Sequence, residues 1–163
     1  GYIAFELIRI IPDQIESLVL INSGARFLSD KGHLERQRSL ALINNGKFDF
    51  LISLIFKNSI YDKGKHKELL PLLKNMAQEI GAEKYLQQLT AILNKPDHTE
   101  LLGRIQCPTL LVASRNDQVM PTERSEHMAI HIKNSKLVYI EDCGHVAPLE
   151  QPNTVNRILS DWF

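Results

Sequence analysis

Cysteine is scarce in this 163-residue sequence: there are two, Cys107 directly before Pro108 and Cys143 far downstream. Two such thiols make no disulfide framework and are expected to stay reduced, as in a cytoplasmic protein. Net charge is absent as well, with 19 Lys and Arg against 19 Asp and Glu. That balance offers no basic footprint for nucleic acid and no polybasic patch for a membrane surface. No apolar run approaches the roughly 18 residues that cross a bilayer. Internal repeats and low-complexity stretches are missing too. The chain opens Gly1-Tyr2-Ile3-Ala4 with neither an initiator Met nor a signal peptide, so it is expected to be a piece of something longer. What remains is ordinary for a folded domain. Hydrophobic residues make up 44% and charged residues 23% of a length that can bury a core without staples.

The hydrophobic pattern divides the chain into three parts. Residues 2–11 place Ala4, Leu7, Ile8 and Ile11 on one stripe at helical spacing, and Pro12 ends the run. Ile15 to Ile21 is a short apolar strand closed by Asn22-Ser23-Gly24. Residues 29–102 read instead as successive helices, about 30–44, 48–57, 67–80 and 83–94, with a turn near 98–103. Gly46, Gly64 and Gly81 punctuate them, and Pro71 suits a first helical turn. The helix at 48–57 is apolar nearly all round, which calls for cover on several sides or an apolar cavity. After Pro108 the alternation returns. Thr109–Ala113 is a strand, 122–133 a helix with Thr122 as its N-cap, 136–140 a strand, and a last helix starts at Pro152. Strand and helix in turn, with apolar strands, predict an α/β fold with a parallel sheet of three strands. The expected divisions are core at 1–28, a helical insertion at 29–102, and core again at 103–163.

In an open parallel sheet, chemistry gathers in the loops beyond the carboxyl ends of the strands. Here those loops carry Asn22-Ser23-Gly24-Ala25-Arg26, then Ser114-Arg115-Asn116-Asp117, then Glu141-Asp142-Cys143-Gly144-His145. Neighbouring strands lie about 4.8 Å apart, so Asp117 and His145 are placed to meet. A carboxylate that holds one imidazole nitrogen leaves the other to take a proton from a nucleophile. Asp142 is the rival acid, nearer in sequence but set at a strand end. His127 and His131 have metal-ligand spacing on one helix, yet no third ligand is evident, and a solvated face is the simpler reading. His33, His66 and His98 are assigned to the surface. Ser23 lacks the turn that exposes a nucleophile, and Gly46-Lys47 and Gly64-Lys65 lack the spacing of phosphate loops.

Three stretches carry a resemblance: the opening GYIAFEL, then CPTLLVASRNDQVMP, then EDCGHVAPLEQP. Together they resemble the C-terminal part of the α/β-hydrolase fold, over essentially the whole chain. In that family the nucleophile sits in a G-x-S-x-G elbow, and Gly1-Tyr2-Ile3-Ala4 resembles the residues just past it. The resemblance implies a Ser about three residues before Gly1, Asp117 as triad acid, His145 as triad base, and the helical stretch as a cap over the pocket. Arg26 and Phe27, which follow the first strand at the cap entrance, and Val146 are candidates to line a site for a small-molecule substrate, with Arg26 equally readable as a surface residue anchoring the cap. The expected activity is hydrolysis of an ester or lactone, with no cofactor and no metal. Neither nucleic acid nor membrane is expected as a partner, and the sequence carries no signal for oligomeric state. Without the nucleophile and oxyanion donors, the chain alone is expected to be inactive. A ligand-binding protein without turnover, a C–C bond hydrolase, a dehalogenase and an epoxide hydrolase stay open as alternatives on the same fold.

Overall fold

The computed structural model describes all 163 residues. In chain order the elements are α1 (Tyr2–Ile10), β1 (Leu18–Ile21), α2 (Asp30–Asn44), α3 (Phe48–Ser59), α4 (His66–Leu93), α5 (Thr99–Leu102), β2 (Thr109–Ser114), α6 (Thr122–His131), β3 (Ser135–Ile140), α7 (Ala147–Glu150) and α8 (Pro152–Ser160). They sort into two compact units. Gly1–Arg26, Ser59–Asp62 and Asp97–Phe163 form the first; Phe27–Asn58 and Lys63–Pro96 form the second. Residues 97–102 belong to the first unit because Leu101 and Leu102 are buried in its core with Phe5.

The first unit is built on a parallel sheet in the order β1-β2-β3. Leu18 pairs with Thr109 and Thr109 with Ser135, so the carboxyl ends of all three strands lie side by side. Central β2 is buried at every residue, as a parallel strand covered on both faces requires. Leu111 points to one face with Phe5 and Ile8 of α1 and Met128 of α6. Leu110 and Val112 point to the other, with Ile140, Ala147 and Val155. Each of these Leu, Ile, Val, Phe and Met side chains contributes about 1.5–3 kcal/mol on removal from water. α1 is rotated from the expected stripe: Phe5 and Ile8 are its buried residues, while Leu7 is exposed. Phe5 takes the inward place because its ring stacks on that of His98, centroids 5.3 Å apart.

His98 is therefore a core residue, against the surface position expected for it; it is only 4% exposed. Its Nε2 lies 2.7 Å from Glu6 Oε1, and its backbone N–H donates to the carbonyl of Ala25. The hydrogen bond with His98, then that with Arg9, hold the Glu6 carboxyl below its ordinary value near 4.5. A depressed carboxyl adds stability above its unfolded value and loses it as pH falls through the folded one. Glu6→Gln is expected to lower the melting temperature at neutral pH, with the gap from wild type closing as pH drops below about 4.5. Melting curves across that range check the sign.

In the second unit, α2, α3 and α4 enclose Ile43, Leu51 and Leu89, and Phe48 meets Tyr85 edge-on at 5.4 Å. Ser29 caps α2, its Oγ accepting from the N–H of Gly32. The two helices read at 67–80 and 83–94 are segments of α4 separated at Gly81, whose φ of 80° suits glycine. Pro71 lies in the second turn of α4 rather than the first; it and Lys67, whose carbonyl loses its helical partner, are both exposed. α3 is covered at Leu51 and Ile52, while Phe50 is exposed on a helix whose sequence calls for cover on several sides or an apolar cavity. No helix is long and apolar enough to cross a membrane.

Candidate active site

The loops at the carboxyl ends of β1, β2 and β3 are stitched together by backbone bonds. Arg115 N–H donates to Ile140 O at 2.9 Å and Asn116 N–H to Cys143 O at 3.1 Å. Parallel register alone thus brings the β2 and β3 loops alongside each other. Asp117 follows in a turn closed on Ser114, and its side chain is wholly buried. Oδ1 accepts the N–H groups of Val119 and Met120 at 2.7 and 2.8 Å. The N-cap role expected of Thr122 is not met by any side chain, since α6 has no side-chain cap hydrogen bond. The N-cap of α6 is Pro121, and Thr122 is already helical.

With Oδ1 committed, Oδ2 faces His145 and lies 2.7 Å from Nδ1. A carboxylate there makes Nδ1 the donor and leaves the Nε2 lone pair for other chemistry. The imidazole is 31% exposed, enough for a reacting group to reach it. Asp142, the rival acid, makes no such contact. It is exposed, in a left-handed turn with φ of 49°, and its carbonyl accepts from Gln151.

Asn22 directly follows β1, where the sequence predicts only a turn. It is buried, with φ of 47°, a conformation Asn tolerates better than most residues. Its Nδ2 lies 2.9 Å from Ser114 Oγ, 3.1 Å from Gly144 O and 3.0 Å from His145 O, while Oδ1 accepts from Ser114 N–H. No local motif signals this role, because its partners are mostly backbone groups remote in sequence. Gly144 is equally constrained. A Cβ there would fall 2.5 Å from Ser59 O and 2.7 Å from Tyr61 N, both backbone atoms. Gly144→Ala is expected to cost about 1–3 kcal/mol in urea unfolding through this overlap.

Arg26 and Phe27 are exposed, and Val146 is half-buried directly after His145. Gly1 packs so closely on Ser23 that a Cβ would overlap the Ser23 hydroxyl, so Ser23 stands buried as a packing residue. His127 departs from the solvated face expected: it is buried, with its ring 4.3 Å from that of His131. Burial, then the charges of Arg26 and His131, push its imidazole below the ordinary range. No three His, Cys, Asp or Glu residues gather in a group able to hold a metal ion.

A parallel sheet, an Asp after one strand and a His after the next define a class of architecture that the comparisons identify. The family model for the alpha/beta hydrolase fold matches residues 1–152, and the chain belongs to that family. A protein of Pseudomonas savastanoi pv. phaseolicola that carries the provisional name carbamate hydrolase RutD is 28% identical over all of this chain and 64% of its own length. The 2-hydroxy-6-oxononadienedioate/2-hydroxy-6-oxononatrienedioate hydrolase 1 of Pseudomonas putida is 29% identical over 93% of this chain and 55% of its own. Among solved structures, a thermophilic esterase from Thermogutta terrifontis superposes with a TM-score of 0.87 at 27% identity, covering 99% of this chain and 60% of that one. The chain thus spans less than two thirds of the length of these relatives.

Proposed function

We propose that this chain supplies the acid and base of a serine hydrolase acting on a carboxylic ester or lactone of a small apolar molecule. The observation that carries the reading is the 2.7 Å contact between His145 Nδ1 and an Asp117 carboxylate whose other oxygen is tied to two backbone amides. In this reading a Ser about three residues before Gly1 attacks the carbonyl carbon, and His145 Nε2 takes its proton. The tetrahedral adduct collapses as His145 gives that proton to the leaving oxygen. Water then attacks the acyl-enzyme, again losing a proton to Nε2, and the second collapse returns it to the serine. One ester and one water give one acid and one alcohol. Asp117 keeps the imidazole in the productive tautomer and stabilises its charged form. Val146 is assigned to substrate contact through its place beside His145, and Arg26, in the same unit, to the same role. No metal or cofactor enters these steps.

A C–C bond hydrolase is the second reading, favoured by the name of the Pseudomonas putida relative. It uses the same Asp117–His145 pair on a different bond. The experiment is a substrate panel offered to a polypeptide carrying this chain with its upstream residues: short-chain aryl esters, a lactone, an aryl carbamate and a vinylogous diketo acid. Turnover of the esters or lactone above the other two supports the first reading. Preferential cleavage of the diketo acid replaces it with the second, preferential cleavage of the carbamate replaces it with carbamate hydrolysis, and turnover of none rejects both readings.

A further inference from the structure

Glu150 has no part in the steps above, yet its carboxylate is completely buried. A carboxylate removed from water is costly unless its oxygens are satisfied. Here they are satisfied by backbone amides of two separate segments. Oε1 accepts from Tyr61 N–H at 2.9 Å and Asp62 N–H at 2.7 Å; Oε2 accepts from Gly144 N–H at 2.9 Å. Glu150 thus ties the strap Ser59–Asp62, which belongs to the first unit, to the residue before His145. The strap closes the link from its other side, where Ser59 O accepts the N–H of His145 at 2.7 Å.

Added to Asn22, these contacts account for every backbone polar group of two consecutive residues. The Gly144 N–H goes to Glu150 and its carbonyl to Asn22; the His145 N–H goes to Ser59 and its carbonyl to Asn22. A loop normally leaves such groups to water. The absence of a side chain at Gly144 is what lets the strap come this near. We infer that Glu150 and Asn22 are positioning residues, clamping the Gly144–His145 backbone so that the imidazole stays within hydrogen-bond reach of Asp117. The inference rests on His145 being the base, and neither residue touches substrate.

Glu150→Gln is the sharpest probe. Its amide oxygen can keep Tyr61 and Asp62, but its NH2 then faces the Gly144 N–H, donor against donor. The readout is nitrogen NMR of the His145 ring in this chain, at a pH where the imidazole is neutral. Wild type is expected to hold the proton on Nδ1, against Asp117, and Asp117→Asn serves as the reference for the opposite tautomer. Glu150→Gln is expected to shift the tautomer ratio about tenfold toward Nε2–H, roughly the worth of one hydrogen bond. A role confined to stability would lower the melting temperature and leave the ratio untouched, and that result overturns the clamp. Should Glu150→Gln fail to fold, Asn22→Gly carries the test, since glycine accepts φ of 47° while removing both carbonyl contacts. Amide exchange in wild type needs no variant. Gly144 and His145 protected as well as β2 support the clamp, and exchange at open-loop rates rejects it. The ratio is read without substrate or nucleophile, so a shifted ratio in this chain beside no ester turnover in the longer polypeptide sinks the proposed ester chemistry and leaves the clamp standing.

Discussion

His145→Ala is expected to lower ester turnover by about 10⁴–10⁶-fold in a polypeptide that carries this chain with the upstream residues of the proposed site. The size follows from the number of proton transfers that Nε2 makes. In the proposed mechanism it accepts the serine proton, delivers it to the leaving oxygen, and repeats both for water, so all stages would lose their acid or base together. KM should move little, because the imidazole interacts more strongly with the transition state than with bound ester. The fold should survive, since the His145 backbone bonds to Ser59 and Asn22 do not involve the ring. Steady-state kinetics alongside melting curves separate the two. A variant that melts normally and keeps kcat within tenfold of wild type would reject the role assigned to this residue.

Asp117→Asn is expected to cost on the order of 10⁴-fold in kcat, the size of the matching change in serine proteases. The geometry here says why so slight a change is so damaging. Oδ1 is held by the N–H groups of Val119 and Met120, so the asparagine must keep its carbonyl on that side. Its NH2 is then turned toward His145 Nδ1, which must accept rather than donate. The imidazole proton moves to Nε2, and the nitrogen that should take the serine proton is already occupied. The two backbone bonds persist, so melting should change little. Asp142→Asn is the matched control: its carboxylate is exposed, away from the imidazole, and asparagine accepts the same left-handed φ. Activity lost in Asp142→Asn and kept in Asp117→Asn would exchange the two acids.

The proximity of Asp117 and His145 was legible because it depends on two simple features. Short apolar runs mark the strands, with β2 buried at every residue, and parallel register sets their carboxyl ends side by side. The helices of the second unit were legible from the same periodicity, down to the break at Gly81. What stayed hidden depends on partners without a side-chain signature. Asn22 and Glu150 bind mainly backbone groups, some more than 80 positions away, and no spacing rule announces such bonds. His98 and His127 were misread because polar neighbours in sequence suggested solvent. Packing against Phe5 in one case, and burial on the inner side of α6 in the other, decided their positions.

The claim beneath these expectations is that the imidazole held by Asp117 activates a serine just ahead of Gly1. Mass spectrometry after treatment with a phosphonate ester tests it most directly, because such reagents phosphonylate only an activated hydroxyl. One adduct per polypeptide is expected, on the serine about three residues before Gly1, and forming at least about 10²-fold more slowly in His145→Ala. An adduct on any other residue, or one that forms at the wild-type rate without His145, would contradict the account.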